Sequence, residues 1–232
     1  LDLKSLLILR VCSSEYFDIV VKELQDHMED IVAPFVPHPR SLLNYLPRVN
    51  GFLGGSAVIP FFVRDARYRA NALEVYVPFT ELVPFCHHMR NHQSAWEEDD
   101  FGSDDDFEDY LPHRGTRSIT RFGTTAGIVN VVCSRFQDPL TPIACSWSSL
   151  HTGYVNPVWF GHAFPRLTLQ RRGIVGDGVG EENEVCSRME RFLGRGFDLR
   201  MTARAWSEYA HHLPCPKSQY VCHTQPRSFK DD

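Results

Sequence analysis

The fold of this chain is restricted most strongly by residues 51–77, GFLGGSAVIPFFVRDARYRANALEVYV. Gly54 and Gly55 separate a short apolar segment from Ser56, which begins a longer apolar run. A glycine pair followed by serine is typical of a tight turn at which a strand ends and a helix begins. Residues 72–78, ALEVYVP, are apolar and partly β-branched, which predicts a second strand. We therefore expect a strand, a turn, a helix from Ser56 to about residue 65, and another strand.

The rest of the sequence predicts more helices and strands around this unit. Apolar side chains within residues 3–28 lie mostly three or four positions apart, which predicts one or two amphipathic helices. Residues 80–93 predict a further helix. Residues 116–123 and 128–133 predict the two strands of a hairpin. Helices on either side of strands and a hairpin favour an α+β (mixed α/β) fold, in which helices cover one sheet.

The length and the charge of the chain suggest how it is divided. With 232 residues, we expect a helical appendage over residues 1–48 and a sheet-containing domain over residues 49–232. Residues 97–109, EEDDFGSDDDFED, hold nine acids and no base, so we expect a disordered acidic loop at about residues 95–112. The net charge of −5 would be +4 without those nine acids. This balance gives no strong indication of nucleic-acid binding.

The cysteines and the apolar runs indicate a compartment. Seven cysteines, an odd number at irregular spacing, favour reduced thiols and an intracellular location, either cytoplasmic or nuclear. No run approaches the roughly 18 apolar residues of a membrane-spanning helix, so we expect no membrane partner. The chain begins with Leu1 rather than methionine, and we expect further residues upstream.

The predicted turn and strand suggest a phosphate site beside a metal site. A Gly-Ser turn at the N-terminus of a helix offers backbone N–H groups and the positive end of the helix dipole to a phosphate. Two carboxylates at positions i and i+2 of a strand point to the same face and can share divalent ions. Nucleotidyl transfer requires these parts, because it depends on gripping a polyphosphate and neutralising its charge.

This arrangement resembles the nucleotidyltransferase fold, the superfamily that includes polymerase-beta-like enzymes. Its signature is an apolar residue with Gly-Gly or Gly-Ser, a spacer, and a strand of the pattern Asp-apolar-Asp/Glu-apolar. LGGS at residues 53–56 matches the turn, and ALEV at residues 72–75 matches the strand. The resemblance implies a nucleotidyltransferase-like sheet flanked by helices, here within residues 49–232.

The acidic positions of that signature are mostly missing. Glu74 fills the second position, Ala72 occupies the first, and the third falls on Asn130 in the predicted strand GIVNVV. The resemblance implies that any remaining phosphate contact would come from Gly54, Gly55 and Ser56, and any remaining Mg²⁺ contact from Glu74. One carboxylate holds Mg²⁺ weakly. We therefore expect little or no nucleotidyl transfer, no firmly bound cofactor and no residue with an assigned catalytic role.

A closer resemblance extends over most of the chain. LGGSAVIPFF, ALEVYV, PLTPIACSWSSLHTGYVNPV and PRLTLQRRG follow one another as in a large group of uncharacterised fungal (basidiomycete) proteins, in which such a domain follows an F-box-like helix pair. Within the third segment we expect His151 and Asn156 to be structural, with hydrogen bonds to the end of a strand.

The first 24 residues, LDLKSLLILRVCSSEYFDIVVKEL, resemble the back half of an F-box. A complete F-box docks an adaptor subunit of a ubiquitin ligase through an exposed apolar face. The front half of the motif is missing from this sequence, so residues 1–48 are interpreted as an F-box-like remnant unless residues upstream of Leu1 complete it.

Three functions follow from these resemblances. The first is a catalytically degenerate nucleotidyltransferase-like protein that acts inside the cell as a binding or scaffolding module, with an unidentified protein partner and weak nucleotide binding. The second is an active metal-dependent nucleotidyltransferase, in which another acid such as Asp65 completes the site. The third is an F-box-type substrate adaptor of a ubiquitin ligase.

Overall fold

The computed structural model of the chain describes residues 1–98, 115–176 and 182–210. Its centre is a mixed seven-stranded sheet with helices packed around it, which confirms the predicted α+β (mixed α/β) class. The strands of this sheet are β1 (Phe52–Gly54), β2 (Ala72–Val77), β3 (Trp96–Glu97), β4 (Thr116–Gly123), β5 (Ile128–Ser134), β6 (Gly153–Val155) and β7 (Phe160–His162).

The order of the strands in the sheet is β3-β4-β5-β2-β1-β6-β7. β2 and β5 run parallel, and the other neighbouring strands are antiparallel. Two further strands, β8 (Arg172–Ile174) and β9 (Asp198–Arg200), form a separate parallel pair. The predicted strand over residues 72–78 and the predicted hairpin over residues 116–133 are thereby confirmed as β2, β4 and β5.

Eight helices surround the sheet in the described parts of the chain. They are α1 (Leu3–Arg10), α2 (Ser14–Val32), α3 (Pro39–Tyr45), α4 (Ile59–Phe62), α5 (Leu82–His92), α6 (Thr141–Ala144), α7 (Pro165–Leu169) and α8 (Glu182–Gly194). Among these helices, none combines the length and the apolar character needed to cross a membrane. α5 confirms the helix predicted over residues 80–93, and Pro84 is tolerated because it lies in the first turn.

The helix predicted from Ser56 to about residue 65 is shorter than expected. A 3-10 turn covers Ser56–Val58, and α4 then ends at Phe62. β-branched and aromatic residues dominate this segment and have low helix propensity. Its side chains at Ile59 and Phe61 are fully buried, so tertiary packing rather than helix propensity determines its conformation.

The N-terminal helices share one continuous core with the sheet. The side chain of Ser13 accepts a hydrogen bond from the N–H of Tyr16, so Ser13 is the N-cap of α2. Val20 and Leu24 of α2 belong to the same cluster of buried side chains as Leu53 of β1. The helices of residues 1–48 therefore pack directly on the rest of the chain.

The prediction of a disordered loop at about residues 95–112 is wrong for residues 95–98, which are ordered. Ala95 is buried, Trp96–Glu97 forms β3 beside β4, and Glu98 pairs with Arg121 of β4 at 2.9 Å. The indole ring of Trp96 covers Gly123, where a side chain would collide with it, and this contact orders the segment. Residues 99–112 lie outside the described residues.

Candidate functional site

The strand register brings the predicted site positions together on one face of the sheet. Gly54 of β1 lies opposite Glu74 of β2, and Glu74 lies beside Asn130 of β5. Neighbouring strands are about 5 Å apart, so these three positions form a row across the sheet. Ala72 lies on the same face, two residues before Glu74. The face therefore holds the three positions of the expected acidic triad, but a carboxylate at only one of them.

A buried arginine extends this row. Arg121 of β4 lies opposite Asn130 in the antiparallel pair of β4 and β5. It is 8% exposed, and its Nε donates to Oε2 of Glu98 at 2.9 Å. We call Gly54, Glu74, Asn130 and Arg121 the polar row. Arg121 was not among the predicted site residues, although the predicted hairpin is consistent with its pairing with Asn130.

Glu74 is buried against the Gly-Gly-Ser turn. Its side chain is 8% exposed, and the hydroxyl of Tyr76 donates a hydrogen bond of 2.6 Å to its Oε2. A methyl group added to Gly55 would overlap both carboxylate oxygens of Glu74. A phosphate placed at this turn would therefore meet a negative charge, which repels it unless a cation lies between the two.

The two glycines of the turn have a packing reason to be glycine. Besides the contact of Gly55 with Glu74, a methyl group on Gly54 would lie 2.6 Å from the Tyr76 ring. Gly55 also has a φ of +64° and a ψ of −156°, a conformation that is almost exclusive to glycine. The Gly-Gly pair is thus required by the side chains of β2, independently of any phosphate.

The helix after Ser56 is too short to contribute much to the phosphate contact expected there. Ser56 begins a 3-10 turn rather than a long helix, and its carbonyl oxygen accepts a 2.8 Å hydrogen bond from the Tyr68 hydroxyl. α4, which follows the turn, has only four residues, so few peptide dipoles add to a positive N-terminal end. Contact with a phosphate would depend on the turn backbone alone.

Asp65, the alternative third acid, lies outside the polar row. Its Oδ1 pairs with Nη2 of Arg171 at 2.8 Å, and Arg171 immediately precedes β8. The hydrogen bond to Arg171 holds the pKa of Asp65 below its ordinary value, although Asp65 is largely exposed. In this arrangement Asp65 neutralises Arg171 and adds no charge beside Glu74.

The polar row does not fit a pair of Mg²⁺ ions. Mg²⁺ requires near-octahedral oxygen coordination, and the row offers one carboxylate at Glu74 and one carboxamide at Asn130. The Oδ1 atom of Asn130 is buried without a hydrogen-bond partner. It could accept a bond, but a neutral carboxamide adds no negative charge to balance a metal ion. Across the described ranges, no group of three or more His, Cys, Asp or Glu side chains could hold a metal ion.

Asn156 makes the expected hydrogen bond to the end of a strand, whereas His151 contacts a serine side chain instead. Nδ2 of Asn156 donates to the carbonyl of Gly51, immediately before β1, at 3.1 Å. Its Oδ1 accepts from the N–H groups of Val158 and Trp159 in the turn between β6 and β7. His151 is 3% exposed, and its Nδ1 lies 3.0 Å from Oγ of Ser148, so the imidazole is closed off from solvent.

Replacing Tyr76 with phenylalanine is expected to lower the free energy of unfolding by about 1.5–3 kcal/mol. The substitution removes a donor from the buried Glu74 carboxylate while preserving the ring that packs on Gly54. Urea denaturation of both proteins measures the change. Tyr16→Phe, on the exposed side of α2, is the matched control and should stay within about 0.5 kcal/mol of the parent. Equal losses in the two variants would contradict the proposed contact.

Comparisons with known proteins add no assignment to this site. No family model matches the chain, no curated protein gives a significant match, and no solved structure gives one.

Proposed function

We propose that this chain is a catalytically degenerate nucleotidyltransferase-like protein that acts inside the cell as a binding or scaffolding module. The observation that supports this most directly is the polar row. Its single carboxylate, Glu74, is buried against Gly55 and bonded by Tyr76, and Asn130 stands at the expected third acidic position. A buried cation, Arg121, lies one strand beyond Asn130.

The charge of the polar row favours this proposal over an active enzyme. Two divalent ions carry four positive charges, and the polar row offers only one negative charge, the Glu74 carboxylate, to neutralise them. Arg121 is partly neutralised by Glu98, but its guanidinium still disfavours a second cation at Asn130. Without metal, Glu74 repels the triphosphate from Gly55, so nucleotides are expected to bind weakly. The residues of the polar row would then stabilise the fold rather than catalyse a reaction.

Calorimetry with nucleoside triphosphates tests the proposal. ATP, GTP, CTP and UTP, each titrated with and without Mn²⁺, are expected to show no metal-dependent binding at micromolar concentration and no nucleotidyl transfer. The physical reason is the missing negative charge at Ala72 and Asn130. Mn²⁺-dependent binding in the micromolar range that Glu74→Gln abolishes would contradict the proposal and favour the active enzyme.

Restoring the missing acids is expected to create a metal site. The double substitution Ala72→Asp and Asn130→Asp would place three carboxylates on one face, and the Mn²⁺ affinity should rise about tenfold or more. Without metal these like charges should lower the melting temperature, and Mn²⁺ should raise it again. Electron paramagnetic resonance measures the bound Mn²⁺.

The control for this experiment is Ala72→Asn in the parent chain, which adds a side chain of similar size without charge. It is expected to bind Mn²⁺ no better than the parent. If the double variant folds and its Mn²⁺ affinity equals that of the control, the three positions do not form a shared site, and the proposed likeness to nucleotidyltransferases loses its geometric support.

A second candidate function, protein docking through the N-terminal helices, is favoured by a specific surface. Tyr16 and Ile19 are three residues apart on the same side of α2, and these large apolar side chains are exposed to 44% and 53%. Exposed apolar surface of this kind is typical of a protein interface, as an F-box-type adaptor would need. We expect Ile19→Glu, but not Gln25→Glu on the same helix, to abolish retention of a ubiquitin-ligase adaptor subunit by the full-length protein. No retention by the parent would eliminate this candidate.

A further inference from the structure

A cavity of about 450 Å³ lies between α1 and the edge of the sheet at β7. Leu3 and Leu7 of α1 form one wall, and Phe62, Phe160 and Pro165 contribute to the opposite walls. This volume lies within the range of small-molecule sites and far exceeds the packing voids of an ordinary protein interior. Ile8 and Leu169 also line it and are exposed, so the cavity opens to solvent.

The polar groups within the cavity are already satisfied by the protein. Nδ1 of His162 accepts a hydrogen bond from the N–H of Phe164 at 3.0 Å, and its Nε2 lies 3.1 Å from Oγ1 of Thr168. Burial lowers the pKa of His162 to about 4, so the imidazole is neutral at physiological pH. The interior therefore offers a ligand apolar contact and no charge.

The rim of the cavity supplies the charge. Lys4, exposed on α1, is the charged residue among the described residues that line the cavity. An ammonium group at the mouth of an apolar cavity matches a molecule with an aliphatic tail and an anionic head. We propose that this cavity binds a free single-chain carboxylic acid, with its tail between α1 and β7 and its carboxylate at Lys4.

The size of the cavity matches a medium-length chain. At about 30 Å³ for each water, the volume corresponds to roughly 15 water molecules, which is close to the size of dodecanoate with its about 14 non-hydrogen atoms. A neutral or cationic amphiphile of the same length would lack the attraction of Lys4. The inference is independent of the nucleotidyltransferase-like proposal, because the cavity and the polar row share no residue.

Calorimetric titration of the full chain with dodecanoate, below its micelle concentration, tests the proposal. One molecule is expected to bind each chain, and dodecyltrimethylammonium should bind at least about fivefold more weakly. Lys4→Glu should weaken dodecanoate binding about fivefold, whereas Lys22→Glu, an exposed lysine on α2, should leave it unchanged.

Two further results complete the test. Leu169→Trp, a substitution at a half-exposed position of the wall, should abolish binding while the circular dichroism spectrum stays unchanged. Equal binding of dodecanoate and the ammonium compound, an equal effect of Lys4→Glu and Lys22→Glu, or the absence of saturable binding would overturn the proposal. A dimer that Leu169→Trp dissociates and that dodecanoate leaves intact would identify a second copy of the chain as the occupant and would also overturn it.

Discussion

Replacing Gly55 with alanine is expected to lower the free energy of unfolding by about 3 kcal/mol or more. Two separate causes act at this residue. Its φ of +64° and ψ of −156° strain any side chain, and a methyl group would overlap the carboxylate of Glu74. Glu74 cannot easily move away from the added methyl group, because it is buried and hydrogen-bonded to Tyr76. Urea denaturation at pH 7 measures the loss.

A matched glycine and a second substitution separate the two causes. A methyl group at Gly194, the last residue of α8, meets nothing within 4 Å, so Gly194→Ala should change stability by no more than about 0.5 kcal/mol. Adding Glu74→Ala to Gly55→Ala should remove the overlap but leave the backbone strain, so the two substitutions should be strongly non-additive. If Gly55→Ala is as stable as the parent, the described turn does not form.

The outcome at Gly55 also bears on what a Gly-Gly-Ser motif means in a single sequence. The motif predicted the turn correctly, since few other residues allow a chain to reverse so tightly after β1. It suggested phosphate binding as the reason for the glycines. The structure supplies another reason, the approach of the Glu74 and Tyr76 side chains, and that reason depends on a strand about 20 residues further along the chain.

Strand pairing explains how much of the polar row was predictable. The apolar composition of β2 and β5 indicated two strands, and the nucleotidyltransferase-like pattern placed Glu74 and Asn130 on one face, as their register confirms. The pairing of Arg121 with Asn130 followed from the hairpin between β4 and β5. Local patterns thus predict strands and the pairing within hairpins, because both depend on residues close together in the sequence.

The rest of the structure depends on contacts between distant segments, which periodicity does not encode. The cavity beside Lys4 brings α1 against Phe160 and Leu169, more than 150 residues away. The order in residues 95–98 likewise arises from Trp96 on Gly123 and Glu98 with Arg121, so their acidic composition misled the prediction. The composition of a segment indicates only how well it is solvated on average. A few specific tertiary contacts can order the segment despite a polar composition.

Lowering the pH from 6.5 to 4 is expected to destabilise the fold steeply, because two buried histidines and one half-buried histidine resist protonation. Burial lowers the pKa of His88 to about 4, of His151 to about 3 and of His162 to about 4. In the unfolded chain these groups take up protons near pH 6.5, so below that pH the unfolded state binds more protons and is favoured. Their contribution is fully retained above pH 6.5 and is lost progressively as the pH falls towards 4.

The expected size of this effect makes it measurable. A fully shielded histidine changes the free energy of unfolding by about 1.4 kcal/mol per pH unit in that window. His88 and His162 are only partly shielded from water and contribute less, so the three together give less than about 4 kcal/mol per unit near pH 5. Over two pH units, the loss in the free energy of unfolding is comparable to the whole stability of a typical domain. Carboxylates whose pKa is lowered, such as Asp198 beside Trp206 and Arg200, add a further loss only at lower pH.

Urea denaturation at half-unit steps between pH 7 and pH 4.5 measures the slope, and a substitution at His151 identifies its source. His151→Gln removes one titrating group at the Ser148 contact, so the slope near pH 5 should fall by about one third, whatever stability the variant loses at pH 7. Asn91→Gln, at an exposed position of α5, removes no ionisable group and should leave the slope unchanged. A flat profile in the parent chain, or the same slope in the parent and His151→Gln, would mean that these imidazoles are accessible to protons in the folded state, and hence that the interior around α8 and β6 is looser than described.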